Sequence, residues 1–119
     1  MALILVIDDE EESRELVKET LEIGGHLVKE APSWLEGNQI IIRERPELVL
    51  LDVHMPGLQG PQILEVLRET LKKPPKFIFY SAMDIDQLQK MTLEYGANGF
   101  IQKGVSLSEL LNRVEFFLK

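Results

Sequence analysis

Apolar residues along this chain follow two alternating patterns. Five short runs, over 3–7, 27–31, 48–51, 77–80 and 100–101, read as strands with centres near positions 5, 28, 50, 78 and 100. The segments between them carry a helical period. Leu88, Met91, Thr92 and Tyr95 recur at i, i+3, i+4 and i+7, and Leu107, Leu110, Leu111, Val114 and Leu118 keep the same spacing. Ile63, Leu64, Leu67 and Leu71 do likewise, and Leu16, Val17 and Leu21 do so more loosely. Ser33-Trp-Leu-Glu36 and Ser106-Leu-Ser-Glu109 have the capping-box form, which predicts helix starts there. Gly24-Gly25 and Gly96 stand where helices should stop.

A strand followed by a helix, repeated five times, predicts a parallel sheet covered on both faces by five helices. The runs at 3–7, 48–51 and 77–80 are almost wholly apolar, as central strands should be. The second run carries Lys29 and Glu30 and the fifth is short, so both read as edges. Right-handed crossovers then give a doubly wound α/β sheet of order 2-1-3-4-5. In that order the winding reverses between the first and third strands, and open α/β sheets place ligands at the carboxyl ends of strands flanking such a reversal.

Composition narrows the picture. A chain of 119 residues fits one domain, here residues 1–119. With no Cys, a disulfide scaffold, a thiolate metal site and a Cys nucleophile are excluded. The longest apolar run, Met1 to Ile7, is too short to span a bilayer and lacks the flanks of a signal peptide. A formal charge of −7 disfavours direct nucleic-acid binding. A cytoplasmic location is the expectation.

Only five of the 20 acidic residues are aspartates, and three of them end the strands at the reversal: Asp8 and Asp9 after the first, Asp52 after the third. Three carboxylates at close range repel, and a hard cation with oxygen ligands, Mg²⁺ or Mn²⁺, relieves that repulsion. Glu10, Glu11 and Glu12 read as partners of a helix dipole rather than as ligands. Ser81 and Lys103 end the fourth and fifth strands and would add a hydroxyl and an ammonium to the ring. Such a ring suits phosphoryl transfer to a carboxylate.

The motifs Val6-Ile-Asp-Asp-Glu10, Leu50-Leu-Asp-Val-His-Met-Pro-Gly57, Tyr80-Ser-Ala82, Gly96-Ala-Asn-Gly-Phe100 and Lys103 give the sequence a close resemblance to the receiver domain of two-component response regulators, over nearly the whole chain. The resemblance implies a flavodoxin-like fold. It makes Asp52 the phosphoacceptor, Asp9 a direct metal ligand, Asp8 a helper through water, and the backbone carbonyl of His54 a further ligand. It gives Ser81 and Lys103 contacts to the phosphoryl group, and Phe100 the aromatic rotamer coupled to Ser81. The phosphodonor would be a sensor histidine kinase or phosphotransfer protein. The signal would pass through the face formed by the last strand and its two neighbouring helices, to a downstream protein, a fused output domain or a second copy. Such a domain is a regulatory switch that catalyses only its own phosphorylation and dephosphorylation.

The sequence departs from the family pattern at Gly104, where proline usually follows the lysine; without proline a trans peptide is expected. Phe100 stands for the commoner tyrosine. His54 and Met83, two residues after Asp52 and Ser81, occupy positions that tune water attack on the phosphoryl group, here toward a moderate to long lifetime. Trp34 and Tyr95 read as packing residues, His26 as an edge-strand residue without chemistry, and one of Phe116 and Phe117 must turn outward. The main alternative is a pseudo-receiver, an interaction module not regulated by phosphorylation, against which the complete set Asp8, Asp9, Asp52, Ser81 and Lys103 argues. A dehalogenase-type phosphohydrolase would want an acid where His54 stands. In a flavin-binding protein the acids at 8–12 would repel the cofactor phosphate.

Overall fold

A computed structural model describes residues 2–53, 64, 69 and 71–119. Its strands are β1 (Leu3–Ile7), β2 (Leu27–Ala31), β3 (Leu48–Leu51), β4 (Lys76–Ser81) and β5 (Gly99–Gln102). They pair in parallel in the order β2-β1-β3-β4-β5, the order read from the sequence. Complete helices among the described residues are α1 (Glu11–Ile23), α2 (Trp34–Glu44), α3 (Ile85–Tyr95) and α4 (Leu107–Leu118). The expected fifth helix, over 63–71, falls largely outside the described residues. Leu64 and Glu69 have helical backbone there, and Leu64 is fully buried.

Strand alternation divides the core in two. One face carries Leu5, Ile7, Val49, Leu51, Phe77 and Phe79, covered by Ile41 of α2 and Leu88 of α3. The other carries Ile4, Val6, Leu48, Leu50 and Ile78, covered by Val17 and Leu21 of α1 and by Leu110 and Val114 of α4. The two-residue period of the strands sends neighbours to opposite faces, so the central strands must be apolar throughout. The burial of β3 agrees, since all four of its residues are buried. On β2, by contrast, only Ala31 is buried.

The helix ends follow their capping residues. The Ser33 and Ser106 hydroxyls accept from the Glu36 and Glu109 amides, as the capping boxes require. Gly96 ends α3 in the left-handed region at φ 71°. At the end of α2 that conformation is taken by Arg45, at φ 55°. A side chain costs roughly 1–2 kcal/mol there relative to a right-handed residue. Gly37 is buried where α2 crosses β1: a Cβ at that position would lie 2.3 Å from Ile7 Cδ1.

Trp34 packs on the first core cluster, and Tyr95 meets Phe79 edge to face at 5.7 Å between ring centres. Phe117 packs inward while Phe116 is 66% exposed. His26 differs from its expectation. It precedes β2, its side chain is mostly buried, and its Nδ1 accepts the Ala2 amide at 3.3 Å, so it fastens the starts of the first two strands. Among the described residues no helix is long and apolar enough to cross a membrane.

Candidate functional site at the carboxyl ends of the strands

The strands end together. The Asp8 amide donates to the Ala31 carbonyl, the Asp52 amide to the Ile7 carbonyl and the Lys103 amide to the Ser81 carbonyl. These ladder bonds continue the sheet for one residue beyond its edge, and they fix where the polar side chains stand. Asp8, Asp52 and Ser81 are all buried, at 2%, 5% and 0% exposure. Buried polar groups are tolerable only with partners.

Lys103 is the partner shared by the acids. Its Nζ lies 2.9 Å from Asp8 Oδ2, 3.3 Å from Asp52 Oδ2 and 3.5 Å from Glu10 Oε1. Burial works to lower the pKa of Lys103. The bond to Asp8 and the charge of Asp52 outweigh it and hold the pKa above the ordinary lysine value of 10.5. The ammonium also stands 5.5 Å from the centre of the Tyr80 ring, within cation–π range. Burial raises the phenol pKa of Tyr80, with the Lys103 charge acting against it.

Oxygens of Asp8, Glu10 and Asp52 all lie within 4.8 Å of one another, an arrangement able to hold a hard cation. Asp9, the residue the motif ranks first, is exposed and stands outside this group. Asp8 Oδ1 accepts the Glu10 amide at 2.9 Å, an Asx turn that folds the chain back over Asp8. The Asp8 carbonyl accepts from Arg14 Nη1 at 2.8 Å. Arg14 Nε in turn donates to Glu30 Oε1 at 2.8 Å, joining the site to edge strand β2. The Arg14 bond is the leading cause that holds the Glu30 carboxyl below its ordinary value.

Ser81 is tied down rather than loose. Its Oγ accepts the Met83 amide at 3.1 Å, and the Met83 carbonyl accepts Gln102 Nε2 at 3.1 Å. The hydroxyl hydrogen of Ser81 can still donate to an incoming oxygen. Met83 packs partly on the core. Phe100 is half-buried on the same face, and its carbonyl accepts from Arg113 at 3.1 Å. Gly104 follows Lys103 through a trans peptide and has φ 106°, which proline, fixed near −65°, could not adopt. His54 lies outside the described residues.

The geometry thus brings together Asp8, Asp52, Lys103 and Ser81 from four strand ends, and leaves Asp9 apart. Sequence reasoning missed Glu10 as a member of the cluster, and it missed Arg14, Tyr80 and Gln102 as supports. Tyr80 has the most accessible signal, since it adjoins Ser81 within one of the motifs. Arg14 offers none, because its partners come from β1 and β2.

A family model described as the response regulator receiver domain matches residues 4–115. Response regulator MprA of Mycobacterium leprae (strain TN) is 32% identical over 116 residues, covering 98% of this chain and 50% of its own. MprA of Mycobacterium sp. (strain KMS) is 34% identical over the same shares. This chain therefore spans about half the length of these curated relatives. Among solved structures, the BeF3-activated N-terminal receiver domain of Klebsiella pneumoniae RstA matches with a TM-score of 0.84 at 29% identity, with 98% of each chain covered.

Proposed function

Since the chain belongs to the response regulator receiver domains, a regulatory family of two-component systems, we propose that residues 1–119 form one receiver domain that accepts a phosphoryl group on Asp52. The observation that carries this reading is the buried Asp52 carboxylate 3.3 Å from the Lys103 ammonium, beside the acids of the β1 turn. The donor is a phosphohistidine on a sensor histidine kinase or phosphotransfer protein. An Asp52 oxygen attacks the phosphorus, the phosphorus–nitrogen bond breaks, and the imidazole leaves with the electron pair. The product is an acyl phosphate on Asp52.

The chain's residues divide this work. Burial and the strand-end amide bond orient Asp52. Lys103 stays protonated because Asp8 and Asp52 more than offset the burial that would lower its pKa, so it can pair with the phosphoryl oxygens once the carboxylate charge is spent. Ser81 donates its hydroxyl hydrogen to the same group. Asp8 and Asp52 fit a divalent cation, with Asp9 and the His54 carbonyl as further ligands by family pattern and Glu10 as the nearby acid. Mg²⁺ or Mn²⁺ bound there supplies positive charge that offsets repulsion between the carboxylates and the incoming group.

Phosphorylation then changes which contacts Ser81 and Lys103 make, and that differential contact biases a pre-existing equilibrium. Ser81 is linked through the Met83 backbone and Gln102 to β5, and Phe100 lies on β5. The face of α3, β5 and α4 carries the outcome to a downstream protein, an output domain or a second copy. Met83 and His54 tune the return reaction with water, the domain acts in the cytoplasm, and it does not itself contact nucleic acid.

Incubation with Mg²⁺ and a small-molecule phosphodonor tests the reading. One phosphoryl group should appear by mass spectrometry and map to Asp52. No mass gain, together with no spectral change on adding beryllium fluoride, would favour an interaction module that phosphorylation does not regulate.

A further inference from the structure

The opposite pole of the sheet holds a second concentration of charge. A cleft of about 590 Å³ lies beside the amino ends of β3 and β4. Arg45, Lys72, Lys73 and Lys76 line it, with Glu47 as the one carboxylate among its described lining residues. Four cations meet here in a chain whose formal charge is −7. Like charges gathered on one concavity repel each other and raise the local concentration of anions.

The walls are stiff and partly apolar. Pro46, Pro74 and Leu118 complete the lining, and the prolines fix the backbone at both edges. Lys76 is anchored, since its ammonium donates to the Phe117 carbonyl near the end of α4 and to a main-chain oxygen of Lys119 just beyond it. Arg45 is anchored too, with Nε donating to the Ile42 carbonyl at 3.0 Å. It is also the one non-glycine residue with positive φ among the described residues. Helices end most cheaply with glycine in that conformation, so an arginine held there against strain points to a use for its side chain.

We propose that this cleft binds a polyphosphate group, either inorganic or the tail of a nucleotide. The ammonium groups of Lys72 and Lys73 and the guanidinium of Arg45 would take the phosphates, since Arg forks onto phosphate oxygens and Lys meets them as a point charge. Pro74 and Leu118 offer a surface for a base. The volume falls within the range of small-ligand sites, and the net negative charge of the chain disfavours long nucleic acids, which would extend beyond the cleft.

Calorimetry on the 119-residue chain with EDTA present, so that the acidic cluster holds no metal–nucleotide complex, tests the proposal. Pyrophosphate and ATP should each bind saturably, with AMP weaker by about tenfold or more. The double variant Lys72→Gln/Lys73→Gln should weaken both polyphosphates about tenfold while circular dichroism stays unchanged. Asp52→Asn should leave the affinity as it was. ATP binding tighter than pyrophosphate identifies a nucleotide site; equal binding identifies an inorganic polyphosphate site. The proposal is overturned by an absence of saturable binding, by unchanged affinity in the double variant, or by a single-stranded oligonucleotide binding as tightly as pyrophosphate.

Discussion

The two ends of the sheet use charge in opposite ways. At the carboxyl ends of the strands, Asp8 and Asp52 are buried and share the partly buried Lys103 ammonium. At the amino ends, Arg45, Lys72 and Lys73 are exposed, and charges mostly of one sign gather around a cleft that Glu47 also lines. Burial makes the first arrangement both strong and fragile, because a lost partner leaves a desolvated charge. Exposure makes the second nearly neutral to folding, because water screens it. A site whose charges are strongly coupled can respond to one added phosphoryl group, whereas a screened surface can only attract.

The largest stability effect should follow from removing the shared cation. Lys103→Met should cost about 2–3 kcal/mol in urea denaturation, somewhat less than the 3–5 kcal/mol of a fully buried pair because the ammonium still reaches solvent. Added Mg²⁺ should recover part of the loss by supplying charge to the same carboxylates. The pH dependence has a defined sign. The pKa of Lys103 is higher in the folded state, so its contribution is fully present below 10.5 and is lost as pH rises through the folded value. Lys103→Met should therefore flatten the alkaline limb of the stability profile.

Arg14→Met should come next, at about 1–2 kcal/mol, through the charged hydrogen bonds it makes to the Asp8 carbonyl and Glu30. The Glu30 pKa is lowered by folding, so its contribution is present above 4.5 and is lost as pH falls through the folded value. The variant should flatten the acid limb of the denaturation profile over that window.

Metal titration would sharpen the site itself. Asp9→Asn should weaken Mg²⁺ binding about tenfold or more, and Glu10→Gln less. The reverse order would make Glu10 the ligand, as the cluster geometry favours. The smallest effect should come from the other pole, where Lys72→Gln/Lys73→Gln should shift stability by no more than about 0.5 kcal/mol. A larger loss there would erase the contrast between the two ends.

The strands were legible because burial on both faces forces continuous apolar runs. The bounds of β1, β2 and β3 agree with those runs, and β4 and β5 extend theirs by a residue at each end, into Lys76, Ser81, Gly99 and Gln102, which an apolar run does not mark. Asp8, Asp52, Ser81 and Lys103 were legible because topology alone brings four strand ends together. Glu10 was not legible as the third acid, since it and Asp9 are both exposed and only the fold brings the Glu10 carboxylate to 3.5 Å from the Lys103 ammonium. Arg45 carried no signal, because a left-handed helix end normally announces itself as glycine or asparagine. Its conformation is visible only in three dimensions, as are the partners of His26 and Arg14.

The central claim is that the buried Asp52, held by Lys103 among the acids, is where the phosphoryl group arrives. Transfer from a phosphohistidine donor in Mg²⁺ to the wild-type chain and to Asp52→Asn measures this most directly. The wild type should be labelled, and the variant should lose the label. Equal labelling of both would contradict it.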